Sequence, residues 1–467
     1  MTRTEPRRWT ARLLEGTDAA WLAAFRLLFG LTLAVSMWRF IANDWIERFF
    51  VEPRFFFKYW GFGWVQPLSG PALHALVVAL GGLALAVAAG LAFRLSAALL
   101  ALGLTYLQLL DVSTYLNHYY LAGLLCWLLA ASPAGRSWSL DAWFGRRFLG
   151  RAAPSPQAAR GWLYLFRFQL AVVYGFAALA KAQPDWLLHA QPLRIWLGAS
   201  AELPILGRVL ALDGVPLLLS WLGFLFDATI VGWLSWRRTR PYAYAVLLLF
   251  HAVTRLLFPI GMFPVIMSVS ALVFFEPSWP RALLARLLRP APPPPPPLHP
   301  AAAQPRALPV IGLYFGAAYC ALQLLLPLRF VAYGGDVLWH EQGMRFSWRV
   351  MVRAKGGNAA FLVKSKQTGR TWYVSPGEYL TALQESEMVS QPDLILQLGH
   401  HIGEDLQRRG FGPVEVRVDA RASLNGRRSA PLIDPRVDLA QVSDGVALQP
   451  WILPAPITPP PHTRISL

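Results

Sequence analysis

Lys181 closes an apolar run and is followed, four and five residues on, by Asp185 and Trp186. His118 sits in a short polar break, Asn117-His118-Tyr119-Tyr120, between two other apolar runs. An amine at the edge of a low-dielectric region is a candidate base, because burial disfavours an ammonium and frees its lone pair. An imidazole nearby is a candidate donor to a charge that develops during a reaction. Both residue types also have plainer uses: lysines at span ends snorkel to the headgroups, and interfacial histidines act as hydrogen-bonded anchors. Spacing extends the chemical reading. Arg167, Tyr174 and Lys181 recur every seven residues, so they share one helix face with about 40° of drift over two heptads. Asp111 and His118 repeat that spacing, and His251 and Arg255 form an i, i+4 pair. Polar groups aligned on three apolar segments predict a polar cavity between them, open to amphiphiles such as quinones from the lipid. The alternative is a buried network in which Arg167 and Arg255 neutralise Asp111 or Asp227.

The elements that must position these groups are membrane spans. Hydrophobic residues make up 55% of the 467 and charged residues only 15%, against about 25% in soluble proteins. An ionisable side chain in mid-bilayer costs on the order of 2.5–3.5 kcal/mol, so Arg26, Arg39, Asp111, Arg167, Asp227, His251 and Arg255 each call for a role. Nine apolar stretches are long enough, or nearly so, to cross: 21–42, 70–93, 95–116, 119–133, 161–181, 213–236, 242–258, 261–276 and 308–330. With the N-terminus inside, seventeen basic residues fall on the cytoplasmic side and five outside, as the positive-inside rule requires. The net charge of +17 therefore reflects membrane topology and not a nucleic-acid face. The 20 tryptophans gather near span ends, as in interfacial belts. No cleavable signal peptide is expected, because the first apolar run is long enough to span. Both cysteines, Cys126 and Cys320, lie in apolar runs, so no disulfide framework is expected.

These observations predict a polytopic α-helical membrane protein with about nine transmembrane helices, N-in and C-out. Residues 1–20 form a cytoplasmic segment and 21–276 a transmembrane domain. Residues 277–307 form a cytoplasmic proline-rich linker, 308–330 the last span, and 331–467 a small extracytoplasmic α+β domain. In that domain 346–354, 359–365, 370–375 and 413–424 read as strands, 376–387 and 392–409 as helices, and Asn425-Gly426 as a hairpin turn. Adjacent His400 and His401 point about 100° apart on a helix and have no ligand cluster around them, so no metal site is expected. Phosphate-loop, nucleophile-elbow and zinc-protease motifs are absent from the sequence.

From about residue 20 to 455 the chain resembles the vitamin K-dependent γ-carboxylases and their bacterial homologues, which share a horizontally transferred transmembrane domain. The resemblance is carried by WRFIANDWIERFFVEPRFFFKYWGFGWVQPL (38–68), YLNHYYLAGLL (115–125), FRFQLAVVYGFAALAKAQPDWL (166–187) and FPIGMFPVIM (258–267). FSWRVMVRAK (346–355), SLNGRRSAPLIDPRVDL (423–439) and WILP (451–454) extend it. It implies a reaction of reduced vitamin K, oxygen and carbon dioxide. Oxygenation of the hydroquinone yields a strong base that takes a γ-proton from a peptide glutamate; the carbanion adds to carbon dioxide and the quinone leaves as its epoxide. The family's pattern of Lys, three residues, Asp-Trp maps the catalytic lysine to Lys181, and its Asn-His-Tyr motif maps the catalytic histidine to His118. An apolar site would protect the carbanion from water.

Substrate and quinone contacts are expected from Asn117, Tyr119, Tyr174, Arg167, Asp185, Trp186, His251 and Arg255, with Trp348 and Arg353 as candidates for the glutamate contact. The implied co-substrates are reduced vitamin K or menaquinol, O2 and CO2, without a metal. The implied partners are membrane lipid and a glutamate-containing peptide or protein, with no nucleic acid. The animal enzymes' luminal disulfide has no counterpart here, and the chain ends before their C-terminal extension, so propeptide docking of the animal kind is not expected. Arginine- and alanine-rich composition points to a bacterial inner membrane, with the C-terminal domain on the periplasmic side. The rival readings are a quinol epoxidase acting on another substrate and a non-catalytic quinone-binding membrane protein.

Overall fold

The computed structural model describes residues 5–199, 206–210, 212–288 and 310–461. The proline tract at 292–297 lies outside them. The apolar runs become helices α1 (Ala20–Ala42), α2 (Gly70–Ala89), α3 (Phe93–Leu110) and α4 (Asn117–Ala131), then the amphipathic α5 (Leu140–Leu149) and α6 (Arg160–Lys181). They continue as α7 (Val215–Ser235), α8 (Arg240–Leu257), α9 (Phe263–Ser270) and α10 (Val310–Leu328). Among the described residues six segments are long and apolar enough to cross a membrane: α1, α2, α3, α6, α7 and Gly312–Tyr333, which overlaps α10. The protein is an integral membrane protein. The stretches 119–133 and 261–276 fold shorter than a standard span. The first is the 15-residue α4, and the second is α9 followed by a 3-10 turn, Ala271–Phe274.

Close packing among the helices follows from small residues. A Cβ on Gly30 would sit 2.7 Å from the Ala84 carbonyl and the Ala88 nitrogen, so only glycine allows α1 to approach α2 this closely. The turn from α2 to α3 is tight, with Gly90 (φ 70°) and Ala92 (φ 41°) both left-handed. Phe25, Phe29 and Phe166 pack edge-on or stacked in the membrane core beside Trp21.

The C-terminal domain is a four-stranded antiparallel sheet in the order β4-β3-β5-β6, covered by helices. Its strands are β3 (Lys355–Ser365), β4 (Thr371–Val374), β5 (Val414–Leu424) and β6 (Ala430–Pro431); β1 (Gly16–Asp18) and β2 (Gln157–Ala159) pair separately beside the membrane domain. Every second residue of β5 from Val414 to Leu424 is buried, as its alternation predicts. Asn425 and Gly426 both have positive φ, and the Arg427 amide donates to the Leu424 carbonyl, closing the expected hairpin turn. Helices α11 (Ala382–Met388) and α12 (Pro392–Leu406) cover the sheet. Residues 346–354 depart from expectation: they form no strand. Phe346, Trp348 and Met351 all adopt left-handed φ, so the alternating sequence is spent on a tight loop and β3 begins only at Lys355.

This domain is docked firmly on the membrane helices. The Lys58 backbone exchanges two hydrogen bonds with the Gln397 amide, and Gln384 donates to Phe55 O and Asp111 Oδ2, each at 2.7 Å. Asp185, just past α6, receives Arg427 bidentately at 2.6 and 2.7 Å and Asn425 Nδ2 at 2.8 Å. Burial pushes the Asp185 carboxyl up, but these donors outweigh it and hold the group below its ordinary range. Phe57, Val112 and Ala180 from the membrane domain join the apolar core of the C-terminal domain.

Candidate active site

Lys181 ends α6 because Pro184 follows closely and cannot continue the helix. Its Nζ lies 2.6 Å from Asp227 Oδ2 on α7, and both side chains are nearly inaccessible (8% and 7%). The ammonium position is also 5.2 Å from the Trp186 ring centre. Trp186 is itself fixed, since its indole N–H donates to Ser220 O at 2.8 Å. These groups line a cavity of about 440 Å3, walled by aromatic and aliphatic side chains of α6, α7 and α8. On another part of the wall, the Tyr174 hydroxyl is 3.3 Å from His251 Nε2. His251 Nδ1 is buried without a partner among the described residues. A mostly apolar chamber with a few polar groups suits a small apolar ring that carries hydrogen-bonding groups.

His118 is in the first turn of α4 and is buried. Its ring lies against Tyr119, with centres 4.5 Å apart, and Tyr119 in turn contacts Ser36 through its hydroxyl. His118, Asn117, Tyr119, Arg39 and Arg255 line a second chamber of about 550 Å3. The two chambers abut, sharing Ile260, Phe263, Val350 and Met351 as wall residues. Gly261 (φ 60°) lines the His118 chamber, and a Cβ there would stand 3.7 Å from His118 Nε2. Lys181 and His118, distant in sequence, thus line neighbouring chambers.

A third pocket of about 210 Å3 lies between the two domains and is polar. Asn117 and Met351 line it as well as the His118 chamber, and Arg345, Arg349, Arg353 and Glu387 also face it. Two of the three arginines are committed: Arg345 to Asp393 and Gln391, and Arg353 to Glu341. Arg349 pairs with no carboxylate among the described residues. Its guanidinium lies 4.1 Å over the Phe330 ring, and its Nε is buried without a partner.

The remaining expected residues divide. Trp348 is fully buried and stacked on Tyr120 with ring centres 5.0 Å apart; it lines none of these three cavities. Arg167 donates to the carbonyls of Val273, Phe274 and Phe275, capping the turn after α9, and lines none of the three either. Asp185 faces Arg427 instead of the Lys181 cavity. The expected neutralisation of Asp111 or Asp227 by Arg167 and Arg255 is replaced by other partners. Asp227 takes Lys181, and Asp111 takes Gln384 and the Ser113 amide. Three participants were not singled out from sequence as site residues: Asp227 as the partner of Lys181, Arg349, and Met351. The signal for Asp227 was present, as a carboxylate in the middle of a span. Nothing local marks Arg349, whose distinction is the absence of an acid that its neighbours have.

Comparison with known families gives two matches. A model of the HTTM domain matches residues 14–279. A model of the lumenal domain of vitamin K-dependent gamma-carboxylase matches residues 309–457. No solved structure matches the chain.

Proposed function

The chain belongs to the vitamin K-dependent gamma-carboxylase family, and on that premise we propose that it is a quinol-dependent glutamyl γ-carboxylase. In this reaction one quinol, one O2, one CO2 and one glutamyl residue give one quinone epoxide, one γ-carboxyglutamyl residue and one water. The observation that carries the reading is the Lys181–Asp227 pair in an apolar cavity that abuts the His118 chamber. In our reading the quinol ring occupies the Lys181 cavity. Lys181 Nζ accepts the hydroxyl proton from the state in which the pair's own proton rests on Asp227, whose carboxyl orients the amine. Tyr174 and His251 hold the ring from another wall. His118 donates to charge developing on the glutamyl carbon or on carbon dioxide. The glutamate carboxylate is received by Arg349, the uncommitted guanidinium of the polar pocket, in place of the buried Trp348 and the ion-paired Arg353. Reduced vitamin K and menaquinol both have the apolar, hydrogen-bonding ring that these walls suit. We further propose nine crossings, N-in and C-out, in a bacterial inner membrane. The count takes α4, α8 and α9 with its following turn as short crossings beside the six long ones.

The test uses the full chain in nanodiscs with vitamin K hydroquinone or menaquinol, O2, labelled bicarbonate and a glutamate-containing peptide. Epoxide and acid-stable label should both form and both vanish in Lys181→Ala. Epoxide without label would establish a quinol epoxidase acting on another substrate. Quinone binding without either product would leave a quinone-binding protein with the family's fold.

A further inference from the structure

Away from the cavities above, helix α5 presents an arrangement with no use in that reaction. Only Gly145 of its ten residues is buried. Trp143, Phe144 and Phe148 form an exposed aromatic cluster with ring centres 4.9–5.8 Å apart, and Leu149 extends it. Such a face is unstable in water and is instead that of a helix lying in the membrane interface. The helix is held there rigidly. Asp141 in its first turn accepts from the amides of Ala92 and Phe93, at 2.7 and 2.8 Å, which pins it to the turn between α2 and α3. The loop that leads into it is fixed by Arg26, whose buried guanidinium donates to the carbonyls of Ala134, Ser137 and Trp138.

Beside this helix is a cavity of about 730 Å3 faced by Arg136, Arg146, Arg281, Trp138 and Trp143. Arg281 is paired with Asp18 at 2.9 Å and lies over the Trp138 ring. Arg136 and Arg146 pair with no carboxylate among the described residues. We propose that this cavity binds the phosphodiester headgroup of an anionic phospholipid, with its acyl chains lying along the exposed aromatic face of α5. Two guanidinium groups without an acid partner, of which Arg146 also donates through Nε to Ala142 O at 3.3 Å, supply forked donors for phosphate oxygens. No carboxylate is among the described residues that line the cavity; the nearby Asp18 is paired to Arg281 and Asp141 accepts from the Ala92 and Phe93 amides, so a zwitterionic lipid's ammonium meets like charge instead. The tryptophans supply the amphipathic edges that sit at headgroup level. A soluble phosphate would use the arginines but not the apolar face, so the lipid is the source to which both features point.

The test is native mass spectrometry of the full chain in detergent, titrated with phosphatidylglycerol or phosphatidylcholine of matched acyl chains. Wild type is expected to bind phosphatidylglycerol at least tenfold more tightly. Arg136→Gln with Arg146→Gln should abolish the preference, whereas Arg147→Gln, which removes a charge that does not face the cavity, should keep it. Equal affinity of wild type for the two lipids overturns the proposal, as does a preference that survives the double substitution. Displacement of bound lipid by millimolar inorganic phosphate also overturns it, by making the site one for free phosphate. Should the double variant fail to fold, the wild-type comparison of the two lipids and the phosphate competition decide the matter.

Discussion

Replacing Lys181 by alanine removes the proposed base and also strands Asp227, so loss of activity alone would not separate chemistry from folding. The pair is buried on both sides, at 8% and 7% exposure, with Nζ 2.6 Å from Oδ2. Removing one partner of such a pair costs about 3–5 kcal/mol, because the remaining charge is left dry and uncompensated. At roughly 2–4 °C per kcal/mol for a domain of this size, Lys181→Ala should melt on the order of 10 °C below wild type. Replacing both partners by apolar side chains is a different perturbation. Lys181→Met with Asp227→Leu removes the desolvation penalty together with the attraction, and such exchanges are often neutral or stabilising by about 1–4 kcal/mol. The adjoining cavity gives leucine room to settle. Melting can be followed in detergent by a thiol-reactive dye in a Cys320→Ser background, since Cys320 is partly exposed whereas Cys126 is buried and becomes reactive only on unfolding. The double variant should melt at or above the wild-type temperature and form no quinone epoxide. Epoxide at the wild-type rate from the double variant would refute the role of Lys181 as base and leave the pair purely structural. Unchanged melting of Lys181→Ala would refute the electrostatic reasoning.

His118→Ala should keep epoxide formation and lower the ratio of carboxylated peptide to epoxide by roughly 10²–10³, the usual worth of one donor to a developing charge; an unchanged ratio in a product assay contradicts the assignment. Arg349→Met should raise KM for the glutamyl peptide roughly 10–150-fold, equivalent to the 1.5–3 kcal/mol of a charged hydrogen bond, and leave KM for the quinol unchanged. A rise in both would mean that the domains have come apart. Lys355 in the C-terminal domain gives a pH test: burial pushes its ammonium down from 10.5 to about 8, against the opposing pull of Glu341. Between those values the unfolded chain binds more protons than the folded one, so stability rises with pH. In paired melting curves wild type should gain on Lys355→Met by up to about 1.4 kcal/mol per pH unit from pH 8 to 10, and parallel pH dependences would refute the reading.

Long-range order in the site was legible from sequence where the residue type carried its own constraint. An apolar run must become a helix in a bilayer, because its backbone polar groups have no other partner, so the helices of Lys181, Tyr174 and His251 followed directly. The Asn425-Gly426 turn was equally readable, since few residues tolerate two successive positive φ values. What failed was the stretch 346–354. Its alternation matches a strand, but Trp348 is claimed by Tyr120 in the membrane core and Val350 and Met351 by the cavity walls. Tertiary contacts with another domain set the backbone there, and periodicity has no access to them. The same reason hid the roles of Asp185 and Arg167. Each is an ionisable residue beside or within a span, and its use depends on which neighbour the fold brings up: Arg427 from a hairpin 242 residues away, or the carbonyl ends of a turn.

That loop also explains why the two domains must work as one unit. Val350 and Met351 come from the C-terminal domain, yet they line both apolar chambers, and Met351 lines the polar pocket as well. Without that domain each chamber would lose part of its wall, and the cavity that must exclude water would open toward it. The order of the spaces fits the order of needs. A carboxylate is met first where charge is tolerated, beside Arg349. Next comes the His118 chamber, and then the apolar cavity of Lys181, where water is excluded from a reactive anion. In the proposed reaction a carbanion must be made beyond the reach of water but its parent glutamate must be recognised by its charge, and these demands conflict within one pocket. Contiguous chambers joined at Met351 separate them. On the proposed function, the Gln384, Gln397 and Arg427 contacts that dock the domains are therefore as necessary as the walls themselves.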